Sequence, residues 1–178
     1  MELFKPVSIT RWGLIRERYQ NYFPDIVDER LISFQTDVTE ITWLDEHIGT
    51  EVANLVGKKV KIKNAILFGQ GPFNEQGTHV DGHFNGREGA RNWALNIPVL
   101  NCDQGEMIWF SGDYILQPAV NPSNIRYQHI TWNDGPHALV SKIIDTPTIV
   151  KVNVPHRVIN HSDQRRLMLS VRFSPDLY

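Results

Sequence analysis

The stretch Gly77-Thr78-His79-Val80-Asp81-Gly82-His83 sets a histidine and an acid two residues apart. On an extended chain such a pair points to one face, with Val80 turned to the other. One imidazole nitrogen of His79 and one carboxylate oxygen of Asp81 can then reach the same ion. The pair is weak by itself: with seven histidines and 20 acids in the chain, about one His-x-acid match arises by chance. A second match, His161-Ser162-Asp163, lies in the polar run "NHSDQRR". It reads as a solvated turn in which Ser162 or Asp163 bonds to nearby backbone.

A divalent ion held by His79 and Asp81 needs a third arm. Two histidines and one carboxylate on one face of an octahedron leave three positions free, the arrangement suited to non-haem Fe(II) oxygen chemistry. His156 is the best third ligand, because "PTIVKVNVPHRVIN" places it at a strand boundary, far enough along the chain to return across a barrel. His83 has the right parity but follows Gly82 closely and is expected outside the metal site. His129 in "RYQHITW" and His137 in "GPHALV" read as packed or hydrogen-bonded histidines, and His47 as a helix-surface one.

Arg166 follows His156 by ten residues, in "RRLMLSVRF". Strand alternation puts Arg166, Met168, Ser170 and Arg172 on one face and Leu167, Leu169, Val171 and Phe173 on the other. A cation facing a barrel interior needs an anionic partner. The planar guanidinium matches a carboxylate in a two-bond fork, and Ser170 on the same face could add a hydroxyl donor. The competing reading pairs Arg166 with a structural acid at the surface.

These residues have to be positioned by strands. From Lys59 onward short β-rich runs follow one another: "KVKIKNAILFG", "NWALNIPVLN", "GEMIWFSG", "NIRYQHITW", "HALVSKII", "TIVKVNV" and "RRLMLSVRF", with Gly, Pro, Asn and Asp between them. Such spacing predicts a mainly β, antiparallel double-stranded β-helix, a jelly roll of the cupin kind. Before Lys59 the texture is mixed. "ITRWGLIRERYQNYF" carries Trp12, Ile15, Tyr19, Tyr22 and Phe23 at helical spacing, "RLISFQTDV" reads as a strand, and "TEITWLDEHIGTEVANLVGK" as a second helix. In that helix Thr39 or Thr42 would cap the start, Ile41, Leu44, Ile48, Val52 and Leu55 the apolar stripe, and Gly57 the end. One or two N-terminal helices are thus expected to pack on one sheet. Residues 1–178 form a single domain, with 1–58 as support and 59–178 as the core.

Composition sets the limits. The 178 residues are 41% hydrophobic with a net charge of −2, which suits one sizeable core and gives no basic excess for nucleic acid. The start, "MELFKPVSITRWGLIRERYQ", has early charges and no long apolar run, so neither a secretory leader nor a membrane helix is expected. Cys102 is the only cysteine, which excludes an intrachain disulfide and points to a reducing cytoplasm.

With "HVD", "PHRVIN" and an arginine ten residues beyond in place, the chain resembles the Fe(II)/2-oxoglutarate-dependent dioxygenases over about Lys59 to Phe173. Two branches bear comparison, those like the aspartyl/asparaginyl β-hydroxylases and those like the phytanoyl-CoA hydroxylases. The resemblance implies Fe(II) on His79, Asp81 and His156, and 2-oxoglutarate chelating that iron with its far carboxylate on Arg166. It further implies O₂ as oxidant, with succinate and CO₂ released. Arg165 is the adjacent alternative to Arg166 but has the parity of the leucines, and Arg172 falls late. In "ARNWALNIPV", Arg91, Trp93 and Asn96 are further contacts for co-substrate or substrate, beside ordinary structural roles. The substrate is expected to be a small or amino-acid-like molecule met by the loops "GQGPFNEQGTH" and "QPAVNPSNIRYQ", which read as flexible connections, with Phe73, Asn74, Glu75, Tyr114 and Arg126 near the pocket. A metalloenzyme of the cupin kind without 2-oxoglutarate, and a binding β-sandwich, are the alternatives.

Overall fold

The computed structural model describes residues 2–21, 33–81, 92–120 and 126–178. In chain order it has β1 (Phe4–Pro6), α1 (Trp12–Tyr19), β2 (Ser33–Asp37), α2 (Ile41–Leu44), a π turn (Asp45–Gly49), α3 (Thr50–Val56), β3 (Lys61–Gln70), β4 (Trp93–Leu100), β5 (Gly105–Ser111), β6 (Tyr114–Val120), β7 (Arg126–Trp132), β8 (His137–Ile143), β9 (Thr148–Lys151), β10 (His156–Asn160) and β11 (Arg166–Ser174). One sheet runs β1-β9-β4-β11-β3-β2; a second runs β10-β5-β8, and β6 pairs with β7. All pairings are antiparallel. Single bridges from Glu75 to Ile159 and from His79 to both His156 and His129 stitch residues 75–79 between β10 and β7. The result is the mainly β jelly roll that the strand spacing predicts.

Both faces of β4 and β11 are covered, which is why these two strands are buried almost throughout. On the outer face Leu95, Ile97, Val99, Leu167, Leu169, Val171 and Phe173 meet Ile15 and Tyr19 of α1 and Leu44, Ile48 and Val52 of the second helical segment. Each such side chain contributes about 2 kcal/mol by leaving water. Trp12 Nε1 ties α1 to the sheet by donating to Pro98 O at 2.7 Å. On the inner face Ala94 and Met168 join Met107, Trp109, Ile144, Val150 and Val152. The apolar half of β11 thus anchors the helices, and its polar half is left facing the interior between the sheets.

Four local expectations change. "QPAV" reads as part of a connection but belongs to β6, paired along its length with β7; Pro118 fits because β6 is an edge strand. Neither Thr39 nor Thr42 caps α2, which starts after Glu40 without a side-chain cap. The helix then widens into the π turn, where Asp45 Oδ1 accepts the Ile62 backbone N–H at 3.1 Å. Leu44, Ile48 and Val52 are buried while Leu55 is exposed, and Gly57 closes the segment at φ 69°. The run before His79 is held along the edge of β10: Gln76 N donates to Val158 O at 2.8 Å and Asn160 N to Asn74 O at 2.8 Å. Residues 1–58 also give the large sheet its two edge strands, β1 and β2. Tyr22, Phe23, His83 and Arg91 lie outside the described residues. No helix among the described residues is long and apolar enough to cross a membrane.

Candidate metal and anion site

Backbone pairing brings the two histidines together. His79 N donates to His156 O and His156 N to His79 O, both at 2.9 Å. A hydrogen-bonded antiparallel pair puts both side chains on one face, and the ring centroids stand 4.5 Å apart. Asp81, two residues on, shares that face. One ligand atom from each of His79, Asp81 and His156 lies within 4.8 Å of the others.

The outer nitrogen of each ring is already spent. His79 Nδ1 donates to Gly77 O and His156 Nδ1 to Val154 O, both at 2.8 Å. A carbonyl can only accept, so Nδ1 carries the proton and Nε2 keeps its lone pair for the site. Both anchors sit two residues before their histidine. His79 Nε2 is 3.4 Å from Asp81 Oδ1, while Asp81 Oδ2 takes the guanidinium of Arg172.

Electrostatics keep this cluster poised. Burial and the neighbouring His79 push His156 down to about 4, against the pull of Asp81. Burial lowers His79 as well, but the Asp81 carboxylate outweighs it and the net direction is up. Burial alone would raise Asp81; the neighbouring His79 and the Arg172 charge overcome it and hold the carboxyl far below its ordinary range. A carboxylate with one oxygen tethered and two imidazoles presenting Nε2 form a facial donor set that suits a divalent transition metal.

The same pocket continues to Arg166. It is lined by Phe68 and Gln70 of β3, Asn96 of β4, Met107 of β5, Val158 of β10 and the inner face of β11, together with the three clustered residues. Arg166 is 4% exposed. Its Nη1 reaches Gln70 Oε1 only at 3.4 Å, and its Nε has no hydrogen-bond partner. No carboxylate pairs with it among the described residues. Gln70 is fixed from its other end, Nε2 donating to Asn74 O and Val158 O at 2.9 and 3.0 Å. Gly105 makes room for the guanidinium, since a Cβ there would stand 2.2 Å from Arg166 Nε. Burial pushes Arg166 below its ordinary range, with Cys102 beside it acting the other way. The competing sequence reading, a surface pair with an acid, does not fit a buried cation of this kind.

Ser170 stands four residues along from Arg166, about 13 Å on an extended strand. Its hydroxyl donates to Asn96 Oδ1 at 2.5 Å and accepts from Arg172 Nη1 at 2.6 Å. The sequence parity had placed Arg172 on this face but gave no sign of its bond to Asp81. Gln70 and Gly105 carry no motif and were missed; both come to Arg166 only through strand register and packing. Tyr114 packs edge-on against Trp132 in the β6–β7 hairpin, Phe73 is 72% exposed, and Glu75 pairs with Arg157 at 2.5 Å. None of these three lines the pocket. His161 of the second His-x-Asp bonds Glu106 at 2.9 Å, and Ser162 closes a local turn with Gln164, as that reading expects.

No family model matches the sequence, and neither does any curated protein. Among solved structures the chain is similar to the non-heme alpha ketoglutarate dependent carbocyclase SnoK from nogalamycin biosynthesis, with TM-score 0.52 and 13% identity over 96% of this chain and 78% of that one. It is also similar to the alpha ketoglutarate dependent epimerase SnoN from the same biosynthesis, with TM-score 0.51 and 11% identity over 94% of this chain and 76% of that one. At such identity the likeness is one of fold, a jelly roll shared with these two enzymes.

Proposed function

We propose that this chain is a non-haem Fe(II) oxygenase that uses 2-oxoglutarate and O₂ to hydroxylate a small or amino-acid-like substrate, with release of succinate and CO₂. One observation carries the reading. A single pocket has a two-histidine, one-carboxylate donor set at one end and a buried guanidinium without a carboxylate partner at the other.

His79, Asp81 and His156 would hold the iron, which when bound would supply a centre for activating O₂, the oxidant of the reaction. Arg166 takes the far carboxylate of 2-oxoglutarate in a two-bond fork, with Gln70 bracing the guanidinium. Met107, Met168 and Val158 line the span between the two ends and keep it apolar. Asn96 serves the co-substrate, whereas the Ser170 hydroxyl acts through Asn96 and Arg172 instead of touching the carboxylate at Arg166. Arg91, outside the described residues, is a further contact expected from sequence. The side chains of Gln35 and Gln76, which also line the pocket, suit a substrate recognised by hydrogen bonds.

Anaerobic titration with Fe(II) and then 2-oxoglutarate tests metal, co-substrate and their contact together. The expected result is a visible charge-transfer band that saturates at one equivalent of each and is lost in His79→Ala. A folded wild-type protein that gives no band overturns the reading. Iron binding without a 2-oxoglutarate response would leave a metalloenzyme of another kind.

A further inference from the structure

Arg172 has two bonds of fixed direction, because a guanidinium can only donate. One nitrogen, Nη2, donates to Asp81 Oδ2, and the other, Nη1, donates to Ser170 Oγ at 2.6 Å. The Ser170 oxygen is therefore an acceptor, and its own proton goes to Asn96 Oδ1 at 2.5 Å. Ser170 and Asn96 are directly opposite each other in the β11–β4 register. With its oxygen engaged, the Asn96 amide has to turn its NH₂ away from Ser170, and Asn96 lines the pocket. An amide's two ends have nearly the same shape, and only its bonding partners tell them apart. Here the Ser170 hydroxyl accepts from Arg172 and gives its proton to the Asn96 oxygen, which sets the amide this way round.

We propose that Arg172 is a positioning residue with two outputs. One guanidinium nitrogen tethers Asp81 so that Oδ1 is the oxygen left for the metal; the other, through Ser170, orients the Asn96 NH₂ as a donor to the co-substrate. The inference rests on the iron and 2-oxoglutarate reading above and adds to it a physical link between the two sites. A single buried side chain, 7% exposed, sets the geometry of both.

Direct binding measurements test it without turnover. Co(II) is titrated into the metal-free protein, and 2-oxoglutarate into the Co(II)-loaded protein, for wild type, Asp81→Ala, Arg172→Met, Arg172→Lys, Ser170→Ala, Asn96→Ala and the double variant of the last two. Ser170→Ala should leave Co(II) affinity unchanged and weaken 2-oxoglutarate about fivefold, the worth of one hydrogen bond. Asn96→Ala should match it, and the double variant should be no worse, because the two act in series. Arg172→Met should weaken Co(II) about 10–100-fold and 2-oxoglutarate as well. Arg172→Lys should recover Co(II) affinity but not 2-oxoglutarate affinity, since an ammonium restores the charge at Asp81 without the second planar donor. Additive losses at Ser170 and Asn96, or a Lys variant that recovers both affinities or neither, would overturn the proposal. The Ser170 and Lys variants decide it even where Arg172→Met fails to fold. If Asp81→Ala binds Co(II) like wild type, the metal-site reading itself falls. If Asp81→Ala loses Co(II) while Arg172→Met and Arg172→Lys keep it, only the positioning role falls.

Discussion

Two arginines of β11 face the same pocket, are buried to the same degree, and are in opposite states. Arg172 has Asp81 on one nitrogen and Ser170 on another. Arg166 has a long contact to Gln70 and a bare Nε. Burial of a charge costs several kcal/mol unless it is paired. The pocket meets that cost from within at Arg172 and leaves it open at Arg166. Residue type and strand face are identical, so the difference lies in the partners that the neighbouring segments deliver. The 79–81 segment brings a carboxylate to one arginine, and β3 and β5 bring only an amide and a glycine to the other. Under the proposed function, the uncompensated cation is the one that receives the far carboxylate of 2-oxoglutarate.

Swapping each arginine for methionine should therefore move stability in opposite directions. Arg172→Met strands the Asp81 carboxylate and should cost about 3 kcal/mol, the low end for breaking a buried pair because the Asp81 side chain is 26% exposed. Arg166→Met removes an unpaired charge and should be neutral or stabilising by about 1–2 kcal/mol in the ligand-free protein. The same Arg166 variant should lose roughly 30–100-fold in 2-oxoglutarate affinity, the worth of a charged hydrogen-bond pair. Urea melts of the metal-free proteins check the first two, and titration of the Co(II)-loaded protein checks the third. Equal destabilisation by both substitutions would erase the contrast.

Acid should read out the Arg172 end alone. The unfolded chain protonates His156 near 6.5, and the folded chain only near 4. In between, the unfolded state binds the extra proton, so the His156 contribution is full above about pH 6.5 and falls as pH drops toward 4. The shift corresponds to about 3 kcal/mol at most. His79 works against it: its raised value adds stability below about 6.5 that is lost as pH rises through the folded value. That window lies above pH 6.5, so on going from pH 6.5 to 4 the metal-free protein should still weaken, by up to about 3 kcal/mol. Arg172 is among the charges that hold His156 down, after burial and His79. The slope should shrink in Arg172→Met and persist in Arg166→Met. Denaturant midpoints across that pH range measure it, and a flat profile in wild type would contradict the cause assigned to the shift.

The fold was legible because the period-2 alternation of "RRLMLSVRF" and the turn residues between strands are local signals. They gave β11 its two faces and, with them, the side on which Arg166, Ser170 and Arg172 would stand. His79 and Asp81 were legible for the same reason. His156 needed more: its place opposite His79 is a register fact, settled by two backbone hydrogen bonds between distant segments, and sequence could only offer a strand boundary. What stayed hidden was pairwise and nonlocal. That Asp81 would claim Arg172, that Gln70 would brace Arg166, and that Gly105 would clear its path all depend on which strands become neighbours. β6 was hidden because Pro118 and the Asn/Pro run after it outweigh five apolar residues in a local reading, and only pairing with β7 makes it a strand.

Gly105 gives a smaller test at the Arg166 end. Its backbone carries no left-handed requirement, so Gly105→Ala acts through volume alone, placing a methyl carbon where Arg166 Nε lies. The guanidinium has to shift. Affinity for 2-oxoglutarate should fall about tenfold, a little over 1 kcal/mol, with Co(II) affinity unchanged. A loss of Co(II) affinity instead would mean the two ends of the pocket are not separable by a local push.

The smallest effect should come from the other His-x-Asp. Asp163 is exposed and makes no hydrogen bond or ion pair among the described residues, whereas its neighbours His161 and Ser162 are tied to Glu106 and Gln164. Asp163→Ala should change stability by less than about 0.5 kcal/mol and leave both Co(II) and 2-oxoglutarate affinities where they were. The value of so quiet a variant lies in what its opposite would mean. If Asp163→Ala cost metal affinity, the ion would sit away from Asp81, and the Arg172 bond would be an ordinary buried ion pair beside an unrelated cation. Silence at Asp163 together with loss at Asp81 ties the engaged arginine to the metal and leaves the other one for the anion.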